Sequence, residues 1–191
     1  ALSVTVLLGA SLQGCASAVI GVGATAGTAA MEERGLAGVA DDRASRLRIN
    51  ALLSDKDERL WRKVGMQVYM GRVLLTGTVE TEAMRADAVR LAWSAKGVKE
   101  VINELQLADS GGASGFARDT WISTQLKFAL LFDKQVSSIN YSIETVRGTV
   151  YLIGLAQGRV ELDRVMNHAR GLSYVKKVVN YVQIKRPPSN P

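Results

Sequence analysis

The sequence predicts an α+β protein made of two tandem αββαβ units, each a three-stranded mixed sheet packed by two helices. Three observations carry that reading. The segments GRVLLTG (71–77) and GTVYLIG (148–154) share the pattern Gly-x-Val-x-Leu-x-Gly at an offset of 77, from 154 − 77. The same ungapped offset aligns VKEVIN (98–103) with VKKVVN (175–180), and Asp42 with Asp119. One register running through three separate segments indicates duplication, which sets the architecture before any single element is assigned.

Within each copy the elements follow in the same order. A helix is expected first, over about 42–54 and 119–133, then a strand over 64–70 and 139–146. Alternation such as Ile139, Tyr141 and Ile143 supports the strands. A tight turn at the Arg-Gly or Gly-Arg pair leads to a second strand over 72–78 and 149–155. A second helix is expected over 81–95 and 158–170, with Ala88, Leu91, Ala92 and Ala95 at helical spacing in the first copy, before a final strand over 98–107 and 174–185. Two strands joined by a short turn are antiparallel, and the third returns beside one of them after its helix. Tyr151, Ile153 and Leu155 alternate with Val150 and Leu152, so both sheet faces are partly apolar and the two copies are expected to pack together. The glycines bracket a short strand and permit turn conformations that other residues resist.

The N-terminal part reads differently. ALSVTVLLGASLQGC is apolar and uncharged, and is too short to span a bilayer as an ordinary helix. Residues 1–14 are read as a truncated signal peptide whose basic start is missing. Leu12-Gln13-Gly14-Cys15 resembles a bacterial lipobox, in which the cysteine thiol is diacylated and the chain is cut just before it. Cys15 is the only cysteine in the chain and is the expected lipidation site. Cleavage after Ala16-Ser17-Ala18, or an incidental cysteine, is the alternative. The organisation that follows is a lipidated cysteine and Gly/Ala-rich tether over 15–40, a first unit over 41–107 and a linker over 108–116. A second unit over 117–186 and a tail over 187–191 complete it. The Gly/Ala-rich stretch is read as flexible, with folding or light packing on a membrane left open.

Charge is unevenly divided. Residues 116–191 hold 11 Lys and Arg against 5 Asp and Glu, which is the whole net charge of +6. An acidic partner is therefore expected at the second copy. The stretch DTWISTQLKFALLFDK (119–134) carries more apolar surface than a core-facing stripe needs. Ile122, Leu126, Ala129 and Leu130 share one face, while Trp121, Phe128 and Phe132 share another. The first copy is an internal control. It keeps the core stripe as Ser45, Ile49, Leu52 and Leu53, but has Ala44, Ala51 and Asp55 where the aromatic stripe falls. Trp121, Phe128, Phe132 and Leu131, with Arg118, Lys127 and Lys134 on or beside the helix, are the candidate lipid-binding residues. Trp prefers the headgroup depth, Phe buries below it, and Lys reaches anionic phosphates. Burial of the same stripe against the first copy or against an oligomer partner is the competing reading.

At this point the chain resembles a known family. The αββαβ unit, the glycine-bracketed strand, and GVKEVIN and YVKKVVN look like paired BON domains. With the lipobox, the tether and the DTWISTQL opening of the second unit, the order of parts resembles the dual-BON outer-membrane lipoprotein family. That resemblance implies binding of anionic phospholipid (phosphatidylglycerol or cardiolipin) through the first helix of the second unit, and support of outer-membrane integrity. It implies placement on the periplasmic face of the outer membrane and, in some members, at the division site. It implies that the Trp of Asp119-Thr120-Trp121-Ile122 touches the bilayer.

Other chemistry is not supported. No catalytic set, cofactor or metal site is expected, since His168 is a lone histidine and the acidic residues show no ligand spacing. Nucleic acid is not expected either, because the Gly-x-x-Gly stretch GASG (112–115) lies in the linker without basic flanks. The alternative function is a periplasmic scaffold or assembly subunit that binds envelope proteins or itself.

Overall fold

The computed structural model describes residues 31–108 and 115–186. The first unit contains α1 (Gly35–Lys56), α2 (Glu58–Lys63), β1 (Val64–Tyr69), β2 (Arg72–Val79), α3 (Glu82–Ser94), β3 (Glu100–Asn103) and β4 (Gln106–Leu107). The second contains α4 (Phe116–Phe132), a 3-10 turn (Ser138–Asn140), β5 (Tyr141–Val146), β6 (Thr149–Ala156), α5 (Arg159–Arg170) and β7 (Lys177–Ile184). Each sheet is mixed, with an antiparallel hairpin and a parallel third strand, in the orders β1-β2-β3 and β5-β6-β7. The fold class and the duplication expected from the sequence are both present.

The same device closes each hairpin. Met70-Gly71 and Arg147-Gly148 both take positive φ, 55° and 80° in the first pair, 54° and 80° in the second. Such turns match the twist of the flanking strands and leave two backbone N–H groups pointing away from the ladder. Asp42 accepts both in the first unit, from Met70 N at 2.7 Å and Gly71 N at 2.8 Å. Asp119 accepts both in the second, from Arg147 N at 2.7 Å and Gly148 N at 2.8 Å. The turn carbonyls then receive the third strand, from Lys99 N to Gly71 O and from Lys176 N to Gly148 O, each at 2.8 Å. One carboxylate thereby ties the first helix, the hairpin and, through the turn, the returning strand. The far glycines of the repeated motif have another cause. A Cβ on Gly77 would stand 2.1 Å from Lys63 O, and one on Gly154 would stand 2.0 Å from Asn140 O.

Strand pleating sends alternate residues to opposite sides. Val64, Met66, Val68, Val73 and Leu75 meet Ile49, Leu53, Ala88 and Ala92 of the helices in one core. Ile143, Val150 and Leu152 meet Ile122, Leu126, Leu130 and Val165 in the second. Tyr69, Leu74 and Ile102 project from the back of the first sheet against Tyr151 and Ile153 of the other. The result is four layers, helix–sheet–sheet–helix, with the two sheets back to back. Gln67 donates to Glu144 across this interface at 2.8 Å, and the Tyr181 hydroxyl donates to Glu104. Burial, together with the Glu104 carboxylate, pushes the Tyr181 hydroxyl up to about 12, so it keeps the proton it donates. Each pair joins positions that are equivalent in the two copies (144 − 67 and 181 − 104 are both 77). Contact between equivalent positions is the mark of a twofold relation, here internal to one chain. The first helices of the two units therefore lie on opposite outer surfaces.

Several boundaries depart from the sequence expectation. Helix α1 begins at Gly35, inside the stretch assigned to the tether. Arg34 anchors that start: it pairs with Asp42 at 2.6 Å and Glu32 at 2.5 Å, donates to Val68 O and lies over the Tyr69 ring. The final strand of the first unit is split into β3 and β4, both on β2, because Leu105 turns into the core. The sheet is accordingly four-stranded rather than three-stranded. A short helix, α2, precedes β1. In the second unit Ile139 belongs to the 3-10 turn, and β7 starts at Lys177 rather than at 174.

Replacing Asp42 with Ala strands two turn N–H groups and removes a partner of Arg34. At about 1.5–3 kcal/mol per charge-assisted hydrogen bond, offset by relaxation and water entry, the loss expected in urea unfolding is about 2–4 kcal/mol. Asp119→Ala has a loss of the same order.

Candidate functional site

Helix α4 is held with one face inward and one outward. Ile122, Leu126 and Leu130 are fully buried. Asp119, on the same side, reaches the hairpin turn, and Ser123 donates to Thr145 at 2.8 Å. These contacts leave the helix no freedom to roll. At about 100° per residue, the opposite side presents Trp121, Phe128, Leu131 and Phe132. They are 41%, 52%, 61% and 78% exposed. Burial of the stripe against the first copy is thereby removed, which leaves an oligomer partner as the other part of the competing reading. Phe128 and Phe132 stack with ring centroids 6.5 Å apart.

Arg118, Lys127 and Lys134 are exposed and form no ion pair among the described residues. The 77-residue offset places Asp41, Asn50 and Asp57 at the equivalent positions of the first unit. Ser54 stands where Leu131 does. At these positions the second unit carries aromatic, apolar and basic residues where the first carries small, polar and acidic ones, while exposed Arg43, Arg46, Leu47 and Arg48 of α1 correspond to Thr120, Ser123, Thr124 and Gln125. Cys15 lies outside the described residues.

Four exposed aromatics escaped sequence reasoning: Trp61 and Trp93 in the first unit, and Phe116 and Tyr174 in the second. Phe116, at the first turn of α4, is 82% exposed, and only its place at the head of the helix could have pointed to it. Tyr174 lies far from α4 in sequence, yet its ring meets Trp121 edge to face, with centroids 5.9 Å apart and planes at 77°. The Arg118 guanidinium sits 4.9 Å from the centre of the same Tyr174 ring. The available signal was that Tyr174 replaces Gly97 of the first copy in otherwise matching segments.

The far end of α4 is fastened to α5. Asp133 caps the helix and accepts from Arg164 at 2.8 Å, His168 Nε2 at 2.8 Å and Gln135 N at 3.0 Å. The His168 bond, the Gln135 N–H and Arg164 together hold the Asp133 carboxyl down at about 2. His168 is thus a helix–helix tie. Among the described residues no group of three or more His, Cys, Asp or Glu is placed to hold a metal, and no helix is long and apolar enough to cross a membrane.

The BON domain pattern matches residues 41–109 and 118–186, the second segment displaced by 77 from the first (118 − 41). The chain is 33% identical over 177 residues to the outer membrane lipoprotein DolP of Haemophilus influenzae, covering 91% of each protein. It is 39% identical over 146 residues to an uncharacterized protein in the gshII 5' region of Anaplasma centrale, covering 76% of this chain and 95% of that one. It is 31% identical over 147 residues to osmotically-inducible protein Y of Escherichia coli K12, covering 76% of this chain and 73% of that protein. The chain belongs to the BON-domain family and carries two copies of the domain.

The Asp133 tie has a pH signature. Its folded pKa lies below the ordinary carboxylate value of 3.8, so its stabilisation is complete above about pH 4 and disappears as pH falls through about 2. Urea-unfolding stability measured from pH 5 to pH 2 is expected to fall less steeply in Asp133→Asn than in the native chain.

Proposed function

We propose that this BON-domain protein is a non-enzymatic outer-membrane lipoprotein. Acylated Cys15 anchors it on the periplasmic side, and the outer face of α4 binds anionic phospholipid in support of outer-membrane integrity. One observation carries the reading: a scaffold used twice exposes Trp121, Phe128, Leu131 and Phe132 in one copy, where the equivalent positions of the other hold Ala44, Ala51, Ser54 and Asp55. Folding alone does not call for that substitution, since the first unit forms the same core without it.

The chemistry of the face suits a bilayer surface. Trp at the headgroup level, Phe and Leu beneath it and cations among the phosphates is the arrangement of an interfacial helix. Arg118, Lys127 and Lys134 each add about 1 kcal/mol near an anionic surface. Such a patch binds weakly and reversibly by itself. A stable anchor in the same chain raises its effective concentration at the bilayer, so the weak contact suffices. The name of the Haemophilus influenzae relative, an outer membrane lipoprotein, agrees with this placement.

The test is co-sedimentation of the full chain, unacylated through Cys15→Ser, with vesicles. Binding is expected with phosphatidylglycerol or cardiolipin, and is expected to fall with neutral vesicles and at high salt. Trp121→Ala combined with Phe128→Ala should weaken it by about tenfold or more while urea-unfolding stability changes by less than about 1 kcal/mol, as for exposed positions. Equal binding to neutral vesicles removes the electrostatic part. Unchanged binding by the double variant, with capture of an envelope protein lost instead, moves the assignment to the scaffold reading.

A further inference from the structure

Tyr174 stands in a backbone conformation that suits glycine. Its φ is 68°, and that of its counterpart Gly97 is 97°. In this region Cβ crowds the neighbouring backbone, which glycine avoids and a bulky residue does not. The loop is held across this point, because the bond from Val175 N to Leu172 O spans the strained residue and Lys176 N bonds Gly148 O just beyond it. Strain of this kind persists where the surroundings over-determine it, and it concentrates at working sites. Here the strained side chain contributes nothing to the core, since it is 61% exposed.

What the ring does is organise two other side chains. Trp121 meets it edge to face, and the Arg118 guanidinium lies over it. A guanidinium stacked on an aromatic face keeps its N–H donors in its own plane, directed away from the ring and open to an acceptor. The three residues together line a shallow cleft of about 390 Å³. Its walls are two amphipathic rings of the kind that settle at the headgroup level and one cation of the kind that forks onto phosphate.

We propose that Arg118, Trp121 and Tyr174 form a preassembled notch for the glycerol-phosphate region of an anionic lipid, with Tyr174 as the platform that holds the other two at one depth. The inference rests on the membrane reading above and specifies which end of α4 meets the headgroups. The amino-terminal end carries the notch. The carboxy-terminal end presents Phe128, Leu131 and Phe132, whose apolar side chains enter below it. The helix therefore enters the interface tilted, carboxy-terminal end deeper.

The decisive variant restores what the first copy has. Tyr174→Gly relieves the left-handed strain, so its thermal midpoint is expected at or above that of the native chain. Its binding to phosphatidylglycerol vesicles is expected to fall by about fivefold, the range of a lost aromatic contact. Tyr174→Phe keeps both ring contacts and is expected to bind like the native chain. Soluble glycerol phosphate at millimolar concentration is expected not to compete with vesicles, since the notch works beside the apolar part of the face. Effective competition overturns the bilayer assignment in favour of a free-phosphate site. If Tyr174→Gly binds normally while Trp121→Ala binds weakly, the notch is wrong and the membrane reading stands. If both bind normally, the notch is wrong; a native chain that fails to bind these vesicles overturns the membrane reading itself. A Tyr174→Gly chain that melts well below the native one assigns the ring a structural role and overturns the proposal.

Discussion

A carboxylate gripping two turn amides is the contact on which the geometry of each unit depends. Asp42 and Asp119 sit in the first helices of their units, at positions that face the sheet, and each accepts both N–H groups of a hairpin turn. Buried amides of that kind are costly to leave unpaired, so the bond sets more than local order. It fixes the rotation of the helix about its own axis. With Asp119 turned inward, Ile122, Leu126 and Leu130 follow it into the core at helical spacing, and Trp121, Phe128 and Phe132 have nowhere to point but outward. The exposure of the aromatic face is thus a consequence of a hydrogen bond on the other side of the helix.

The two copies show how far chemistry can change on a constant scaffold. Lys56 pairs with Asp87 at 3.3 Å in the first unit, and the equivalent positions carry Asp133 and Arg164, paired at 2.8 Å. The tie between the first and second helices has survived with its signs reversed. Positions outside the core changed in both directions: Ala44, Ala51, Ser54 and Asp55 of α1 correspond to Trp121, Phe128, Leu131 and Phe132 of α4, whereas exposed Arg43, Arg46, Leu47 and Arg48 correspond to Thr120, Ser123, Thr124 and Gln125.

Distance along the sequence explains what could be read from the chain. The offset of 77, the glycine-bracketed strands and the two stripes of α4 are local or repeated patterns, and they determined the fold class and the exposed face. The misses involve partners remote in sequence. Asn140, whose buried side chain accepts from Glu33 N at 2.9 Å, replaces a strand start with a 3-10 turn. Arg34 extends α1 beyond its expected start through contacts with Asp42, Val68 and Tyr69. Tyr174 joins the aromatic face from a loop more than 40 residues beyond α4, which helical periodicity has no means of detecting. Its left-handed backbone also runs against the local preference of a bulky residue.

The four-layer arrangement makes the specialisation of one copy physically sensible. Sheets packed back to back direct α1 and α4 toward opposite sides, so under the membrane reading proposed above a flat bilayer would meet one helix and not the other. A second greasy helix would face water and invite association. The chain entering α1 is nevertheless fastened to the second unit. Glu33 is held by Asn140, Gln157 and Lys185 of the second unit, and Asn140 belongs to the turn packed against α4. From Cys15 to Met31 there are 16 residues, which at full extension reach at most about 55 Å. With Cys15 acylated, as proposed, the anchor and the aromatic face can enter the same leaflet together, the condition under which a weak contact gains from its tether.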